Sequence, residues 1–566
     1  MAPTMDTSHE AGARIRILIP GTLFVSVFAV YAATAAPGTL FGDPSEYQFI
    51  PAILGIAHPP GYAFYTLLAK LWQLAIPVGT VAFRTNLLAS AVGGWVVTAV
   101  YLLVSDVQCA WTERHPDVGG EGSQITSPDA MIPWLSAVFA ALVLAASPDL
   151  WQHAIHANAH IVSAGLAVTH LWLLVRWWRT GRDGWLAAFG VTMGLAVTHH
   201  PITLMGVPAY GLFMLSVRGR ELFRWSTLVI LAGAVLMGLS PLLYYPLRSP
   251  TAPFGPTDMD TWDGFTRHIT ARGLRVNLFH FGLVDQLDRA LVFWSLLRLQ
   301  YPLPVILLIP VGLVVLVRRV PRLALLMGGF VAGHLAFTLN TVQDVMAYLL
   351  LPFSALAALA GVGAWGLLMG IRGAVGARRS PSDGFQQNAV PLWLHLVLLA
   401  ALLPWPVGRG AQNLSRGISL RDFEAAERWV GAVRGRFEDK GEGAVLLAAW
   451  EYLTPLWVHA YTEDWGVTED DVDLTYVSTA TPWAEAVWSH IEAGEIYLPD
   501  FRPPVRQAGF RMIPEGTFYR VEAPPVTEAE PAFAADVTAD GRIRILGYDL
   551  PEKTVRAGEP LVLTLY

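Results

Sequence analysis

Apolar runs of membrane length recur along most of this chain, separated by short connections in which prolines and charged residues gather. A helix needs roughly 20 apolar residues to cross a bilayer core, and in hydrocarbon its backbone polar groups must be satisfied internally. Of 566 residues, 54% are hydrophobic and 15% charged, with a mean hydropathy of +0.44, which excludes a single soluble globule. The reading is an all-α polytopic membrane protein. Eleven spans are expected, at roughly 15–35, 83–105, 132–149, 161–178, 184–199, 201–217, 225–246, 301–318, 322–340, 347–371 and 389–407. The fifth and sixth are parted only by His199-His200-Pro201 and read as a tight hairpin or a distorted pair. The first run lacks a small-residue cleavage site and reads as a retained helix.

Basic residues mark cytoplasmic connections. Arg14 and Arg16 precede the first span; Arg176, Arg179 and Arg182 follow the fourth; Arg218, Arg220 and Arg224 the sixth; Arg318, Arg319 and Arg322 the eighth; Arg372, Arg378 and Arg379 the tenth. One alternating count puts all of them inside, with the N-terminus. The loop from Ser105 to Met131, whose Arg114 is its only Lys or Arg, follows by alternation. Nothing in a net charge of −7 suggests a nucleic-acid partner. The single cysteine, Cys109, excludes an intramolecular disulfide and a cysteine metal cluster, so a metal would need oxygen or imidazole ligands. These features fit a bacterial plasma membrane.

The same count collects polar residues on the outer face: Asp43, Glu46 and His58; His153, His156, Asn158 and His160; His199 and His200; Arg248; Asp344 with Tyr348. A carboxylate beside hydrocarbon is costly and is found where it meets water, a partner or a substrate. In FGDPSEYQFIPAILGIAHPPGYAFY, residues 41–65, the stretch IPAILGIA is too short to cross, so both of its polar clusters lie on one side. The bland reading makes Asp43 the N-cap of a short helix and Glu46 a solvated residue one turn on. His153, His156 and His160 stand at i, i+3 and i+7, one face of a helix, which suits a metal or, more economically, an aqueous stripe. The segment Tyr62–Leu74 reads as an amphipathic interfacial helix, and Trp262–Val276 likewise. Arg84 and Asn86 read as structural ties between the first outer loop and the bundle.

Beyond the membrane domain, 1–407, the chain turns soluble. Residues 408–535 read as an extracytoplasmic α/β region and 536–566 as the beginning of a β domain that is cut short. Leu420–Phe437 reads as an amphipathic helix, AVLLAAW as a buried strand, Pro482–Gly494 as a helix, and IRILGYDL and LVLTLY as strands.

GDPSEYQF, followed by GIAHPPGYAFYTLLAKLW and FRTNLLAS, resembles the signature of the protein O-mannosyltransferase-like family, formerly a domain of unknown function. Its animal member is an endoplasmic-reticulum protein O-mannosyltransferase, and its members are similar to GT-C glycosyltransferases. GLAVTHHPITLM, YYPLRSP and DVMAYLLLP fit later segments of the family. One departure is the run Trp151 to His160, which puts Asn158 where relatives often carry a glutamate.

The resemblance implies a GT-C-like fold, a polyprenyl-phosphate sugar donor, and a site at the outer membrane face. It implies an acid in the first outer loop as general base: Asp43, with Glu46 beside it. A single displacement, with inversion, follows from one base and no nucleophilic carboxylate. Arg248 would hold the lipid phosphate, and His199 and His200 would add hydrogen bonds or position the sugar. His58, Tyr62, Asn158, Asp344 and Tyr348 would complete the donor and substrate site. No metal or other cofactor is demanded, and a divalent ion is not favoured. The partners implied are a lipid-linked donor in the membrane and a protein or glycan acceptor; the animal member suggests mannose, and Ser or Thr as the acceptor. The alternative is a polytopic transporter or lipid flippase, which would show ionisable residues in mid-span, discontinuous helices and internal repeats.

Overall fold

The computed structural model describes residues 7–113, 128–342, 345–377, 397, 401–415, 417–438, 440–463, 465–479, 482–523, 531–539, 543–550 and 564–565. They fall into two compact units, Met1–Gly431 with Thr454–Trp465, and Ala432–Leu453 with Gly466–Tyr566.

The first unit is helical. Its elements are α1 (Thr7–Thr34), α2 (Asp43–Ile53), α3 (Ala63–Ala75), α4 (Val81–Thr112), α5 (Pro128–Ala145), α6 (Pro148–Ala154), α7 (His160–Thr180), α8 (Asp183–His199), α9 (Val207–Arg218), α10 (Trp225–Gly238), α11 (Tyr244–Arg248), α12 (Trp262–Ile269), α13 (Gln286–Gln300), α14 (Leu303–Arg319), α15 (Pro321–Thr338) and α16 (Val345–Ala377). Helix α4 packs against α1, α5 and α7, and α16 against α5, α14 and α15. Their shared core is almost wholly apolar.

Among the described residues four helical stretches are long and apolar enough to cross a membrane: Val81–Thr112, His160–Thr180, Pro201–Phe223 and Val345–Ile371. Three bent pairs bring the number to seven if each pair is one span. The eleven expected spans are therefore not recovered one for one. Apolarity does not register a break: α5 and α6 meet at 66° where Pro148 opens α6, and α13 and α14 meet at 110° at Pro302. Proline lacks the amide donor and pushes the residue before it out of helical backbone. The expected span at 184–199 is the 17-residue α8, and most of 389–407 lies outside the described residues.

The arginine-bearing helix ends come together. Asp106 near the end of α4 accepts from Arg176 at 2.7 Å and from Trp172 Nε1 at 2.9 Å, and it pairs with Arg179. Arg218 pairs with Asp183 and stacks over Trp177, and Arg319 stacks over Trp111. His160 opens α7, and Arg179 lies 19 residues on, about 28 Å along a helix.

In the second unit β1 (Ala444–Ala448), β2 (Leu474–Ser478), β3 (Ile496–Leu498), β4 (Arg511–Glu515) and β5 (Phe518–Glu522) form a sheet in the order β2-β1-β3-β5-β4. The first three strands are parallel, and β5 runs antiparallel to both β3 and β4. β1 is buried throughout, as AVLLA leads one to expect. The strands β6 (Phe533–Ala539), β7 (Ile543–Asp549) and β8 (Thr564–Leu565) form a separate antiparallel sheet. The helices expected at 420–437 and 482–494 are shorter, Ala425–Phe437 and Trp483–His490.

Asp106 is nearly buried and shared by two arginines, so truncation leaves both cations without it. Asp106→Ala is expected to cost about 3 kcal/mol of stability, seen as a lowered unfolding temperature of the detergent-solubilised protein. An unchanged unfolding temperature would contradict this assignment.

Candidate active site

The site begins where α2 begins. Gly42, not Asp43, occupies the N-cap position, and Pro44 sits in the first turn with Asp43 and Glu46, where acids are favoured by the helix dipole. The two carboxylates differ sharply. Asp43 is half-buried, whereas Glu46 has no exposed surface. Glu46 Oε1 accepts the backbone N–H of His58 at 2.8 Å, and Oε2 pairs with His58 Nδ1. The bland expectation of a solvated Glu46 is thus corrected. Asp43, Glu46 and His58 offer ligand atoms within 4.8 Å of one another, and among the described residues they are the group that could hold a metal ion.

The chain between α2 and α3 is held from behind by the segment 244–268. Arg248 Nε and Nη2 donate to the carbonyls of Leu54, at 2.7 Å, and Ile53, at 3.1 Å, at the C-terminal end of α2. Along α2 that end is about 15 Å from Asp43. Tyr244 donates to Gly55 O at 2.7 Å, and the Tyr245 hydroxyl donates to Pro60 O and accepts from Ala63 N–H. His268 Nε2 lies 3.0 Å from Ala57 O. Gly61, at φ +94°, fits beneath these groups; a Cβ there would stand 2.5 Å from the Tyr245 hydroxyl.

Tyr62 follows, and it is the hub. Its backbone is left-handed, at φ 53° and ψ 44°, a conformation that costs a non-glycine residue about 1 kcal/mol. Its ring lies 5.3 Å from Tyr47, 5.5 Å from His58, 5.7 Å from His199, 5.8 Å from His200 and 6.2 Å from His160. Tyr348 joins from α16, 5.5 Å from His160 and 5.4 Å from His200. Five separate stretches of chain thus supply one aromatic and imidazole cluster beside two carboxylates. Burial holds the Tyr47 phenol protonated, with Tyr62 and Asp43 adding to the effect. Burial also lowers His200 to about 3, helped by His199 and His58.

Of the residues expected from sequence, Asp43, Glu46, His58, Tyr62, His199, His200 and Tyr348 come together. Asn158 does different work: its Oδ1 accepts Ile161 N–H at 3.2 Å, satisfying one of the first amides of α7. Asp344 lies outside the described residues. The expected helical stripe of His153, His156 and His160 does not form, because α6 ends at Ala154 and α7 starts at His160. His153 turns instead to Asp149, and His160 alone reaches the cluster. Tyr47 was not anticipated, although its place between Glu46 and the His-Pro-Pro turn pointed there. Asn86 ties the loop before α2 to the bundle as expected: Oδ1 accepts from Gln48 and Ala157 N–H, and Nδ2 donates to Ala36 and Gly38 carbonyls. Arg84 donates to Gln73 and Gly79 carbonyls.

His200 and His268, lowered by burial to about 3 and about 4, are neutral in the folded chain at neutral pH. The unfolded chain takes up these protons below about 6.5. Stability is therefore expected to be flat above pH 6.5 and to fall as pH drops from 6.5 towards 4. His268→Gln should shallow that fall in unfolding temperature measured against pH, and an unchanged slope would contradict the assignment.

Residues 43–222 match the model of the protein O-mannosyl-transferase TMEM260 N-terminal domain. The chain is 25% identical over 268 residues to the protein O-mannosyl-transferase tmem260 of Dictyostelium discoideum, covering 44% of this chain and 30% of that protein. It is 39% identical over 82 residues to the protein of the same name in Mus musculus, covering 14% and 12%. The chain therefore spans less than a third of the length of either curated relative. Among solved structures, ArnT from Cupriavidus metallidurans bound to undecaprenyl phosphate superposes with a TM-score of 0.50 at 15% identity, over 88% of this chain and 97% of ArnT. The Archaeoglobus fulgidus oligosaccharyltransferase in complex with Zn and sulfate also gives 0.50, at 13% identity, over 84% and 68%. By its sequence the chain resembles the protein O-mannosyltransferase-like family, and its fold is similar to those of ArnT and the archaeal oligosaccharyltransferase.

Proposed function

We propose that this chain is a membrane glycosyltransferase that moves a sugar, mannose, from a polyprenyl-phosphate donor to a hydroxyl acceptor, a protein Ser or Thr, at the extracytoplasmic face. The observation that carries the reading is the convergence on Tyr62. A half-buried carboxylate, the buried Glu46 paired with half-buried His58, and three further histidines meet at the end of the bundle opposite the arginine-marked helix ends. The relatives' names support the reaction class, and the undecaprenyl phosphate bound to ArnT is a carrier of the class proposed. The arginine ends are assigned to the cytoplasm of a bacterium, which puts the N-terminus inside and the region after residue 407 outside.

In this mechanism the acceptor hydroxyl attacks the anomeric carbon as the bond to phosphate oxygen breaks. The bonding pair leaves with the phosphate, and the hydroxyl proton passes to Asp43. Glu46 has both oxygens on His58, so it acts through that ring and is a positioning residue. Tyr62, Tyr348 and His200, whose Nδ1 accepts Ile202 N–H and so keeps its proton on Nε2, supply donors around the sugar and phosphate, while His58 and His199 position the sugar. Arg248 fixes the far end of α2, and so the direction in which Asp43 points. The mechanism needs no metal, because the leaving phosphate is stabilised by hydrogen-bond donors.

Membranes containing the full chain, given radiolabelled polyprenyl-phosphate mannose and a protein extract, are expected to label protein. Asp43→Asn should lower the rate at least about a hundredfold at equal expression. Glu46→Gln, which weakens the hold on His58, should cost about tenfold. Equal labelling by Asp43→Asn and wild type would remove Asp43 from the role of base, and no labelling by wild type would sink the transferase reading.

A further inference from the structure

The connection from α1 to α2, residues 35–42, leads directly into Asp43 and has no helix or strand to hold it. Side chains hold it instead. Asn86 takes the Ala36 and Gly38 carbonyls, and Gln48 Nε2 also reaches Gly38 O, at 3.2 Å. Ala36 N–H donates to Ile155 O and Ser45 bonds Leu40, and a further hold comes from 388 residues along the chain. Glu427 Oε1 accepts the backbone N–H of Thr39 at 2.7 Å and the Thr39 hydroxyl at 3.1 Å. Charge-assisted bonds of this kind are roughly twice as strong as neutral ones.

Three further contacts bring the same late segment against the same loop and helix. Leu420 N–H donates to Thr34 O at 3.0 Å. His459 Nε2 lies 3.4 Å from Thr39 Oγ1, with its own Nδ1 3.0 Å from Glu463 and its ring stacked on Trp465. Tyr461 stacks on Phe49 of α2 at 5.7 Å. The loop is shaped to receive the carboxylate, because a Cβ on Gly38 would collide with Glu427 Oε1. Glu427 Oε2 is buried with no hydrogen-bond partner among the described residues. Burying a carboxylate oxygen in this way is costly, and in the structure that cost is offset by the Thr39 bonds.

We infer that Glu427 is a positioning residue for Asp43: the segment after the membrane domain reaches back and fixes the loop that delivers the base. The catalytic consequence rests on the transferase reading above; the clamp itself does not. Glu427→Gln keeps an oxygen for Thr39, Glu427→Ala removes it, and Gly38→Ala displaces it.

Hydrogen exchange over residues 35–42 and transfer kinetics with polyprenyl-phosphate mannose, both on the full chain in nanodiscs, test the inference together. Glu427→Ala is expected to speed exchange of this loop about tenfold and to lower kcat about tenfold, with the donor KM within about twofold. Glu427→Gln should restore most of both. Gly38→Ala should match Glu427→Ala, and combining the two should cost nothing more. Wild-type exchange in Glu427→Ala overturns the clamp. Faster exchange with unchanged kcat overturns the positioning role, as does Glu427→Gln being as impaired as Glu427→Ala. If the wild-type chain transfers nothing, the transferase reading falls and the exchange comparison alone decides whether Glu427 holds the loop.

Discussion

A fully buried carboxylate, Glu46, satisfied by a single residue twelve positions on, is the constraint from which the rest of the site follows. Left unpaired at this depth the group would cost several kcal/mol. Pairing it with both the backbone N–H and the ring of His58 folds the chain between α2 and α3 back onto the start of α2. The return places Tyr62 in left-handed backbone, and from there its ring meets Tyr47 and three histidines. Asp43, one turn before Glu46, is thereby set beside the cluster with part of its surface open. The buried Glu46 and its His58 partner order the neighbourhood, and the half-buried Asp43 stands next to them.

The bundle gives this arrangement a direction. Helix α7 begins with His160 in the cluster and closes with Arg176 and Arg179 on Asp106. Polar chemistry and structural ion pairs thus occupy opposite ends of one span, about 28 Å apart. Between them lies a large apolar core, with His170 of α7 fully buried midway. A site at one end of such a bundle can draw a lipid-borne substrate from the membrane and meet a soluble one from water.

Much of this was legible in the sequence, for identifiable reasons. The segment IPAILGIA is too short to cross, which forced Asp43, Glu46 and His58 to one side, and one alternating count brought His199, His200 and Tyr348 to the same face. Other features left no local trace. Proline breaks interrupt apolar runs without lowering their hydropathy, so the bends at Pro148 and Pro302 left no trace in the pattern. A break that contains no proline, between Ala154 and His160, dissolved a stripe that perfect helical spacing suggested. Arg248 looked like a phosphate ligand because of its donor fork, yet that fork faces the carbonyls at the end of α2, a contact spanning almost 200 residues. Glu427 sits in an ordinary amphipathic pattern, and nothing near it in sequence points to Thr39.

The central claim is a single displacement assisted by one carboxylate, and stereochemistry tests it most directly. The measurement is the anomeric configuration of the sugar in the first-formed product, determined by nuclear magnetic resonance after transfer from a donor of defined anomer. The account predicts inversion. Retention would require a covalent sugar–enzyme intermediate or an equivalent second displacement, and would contradict it.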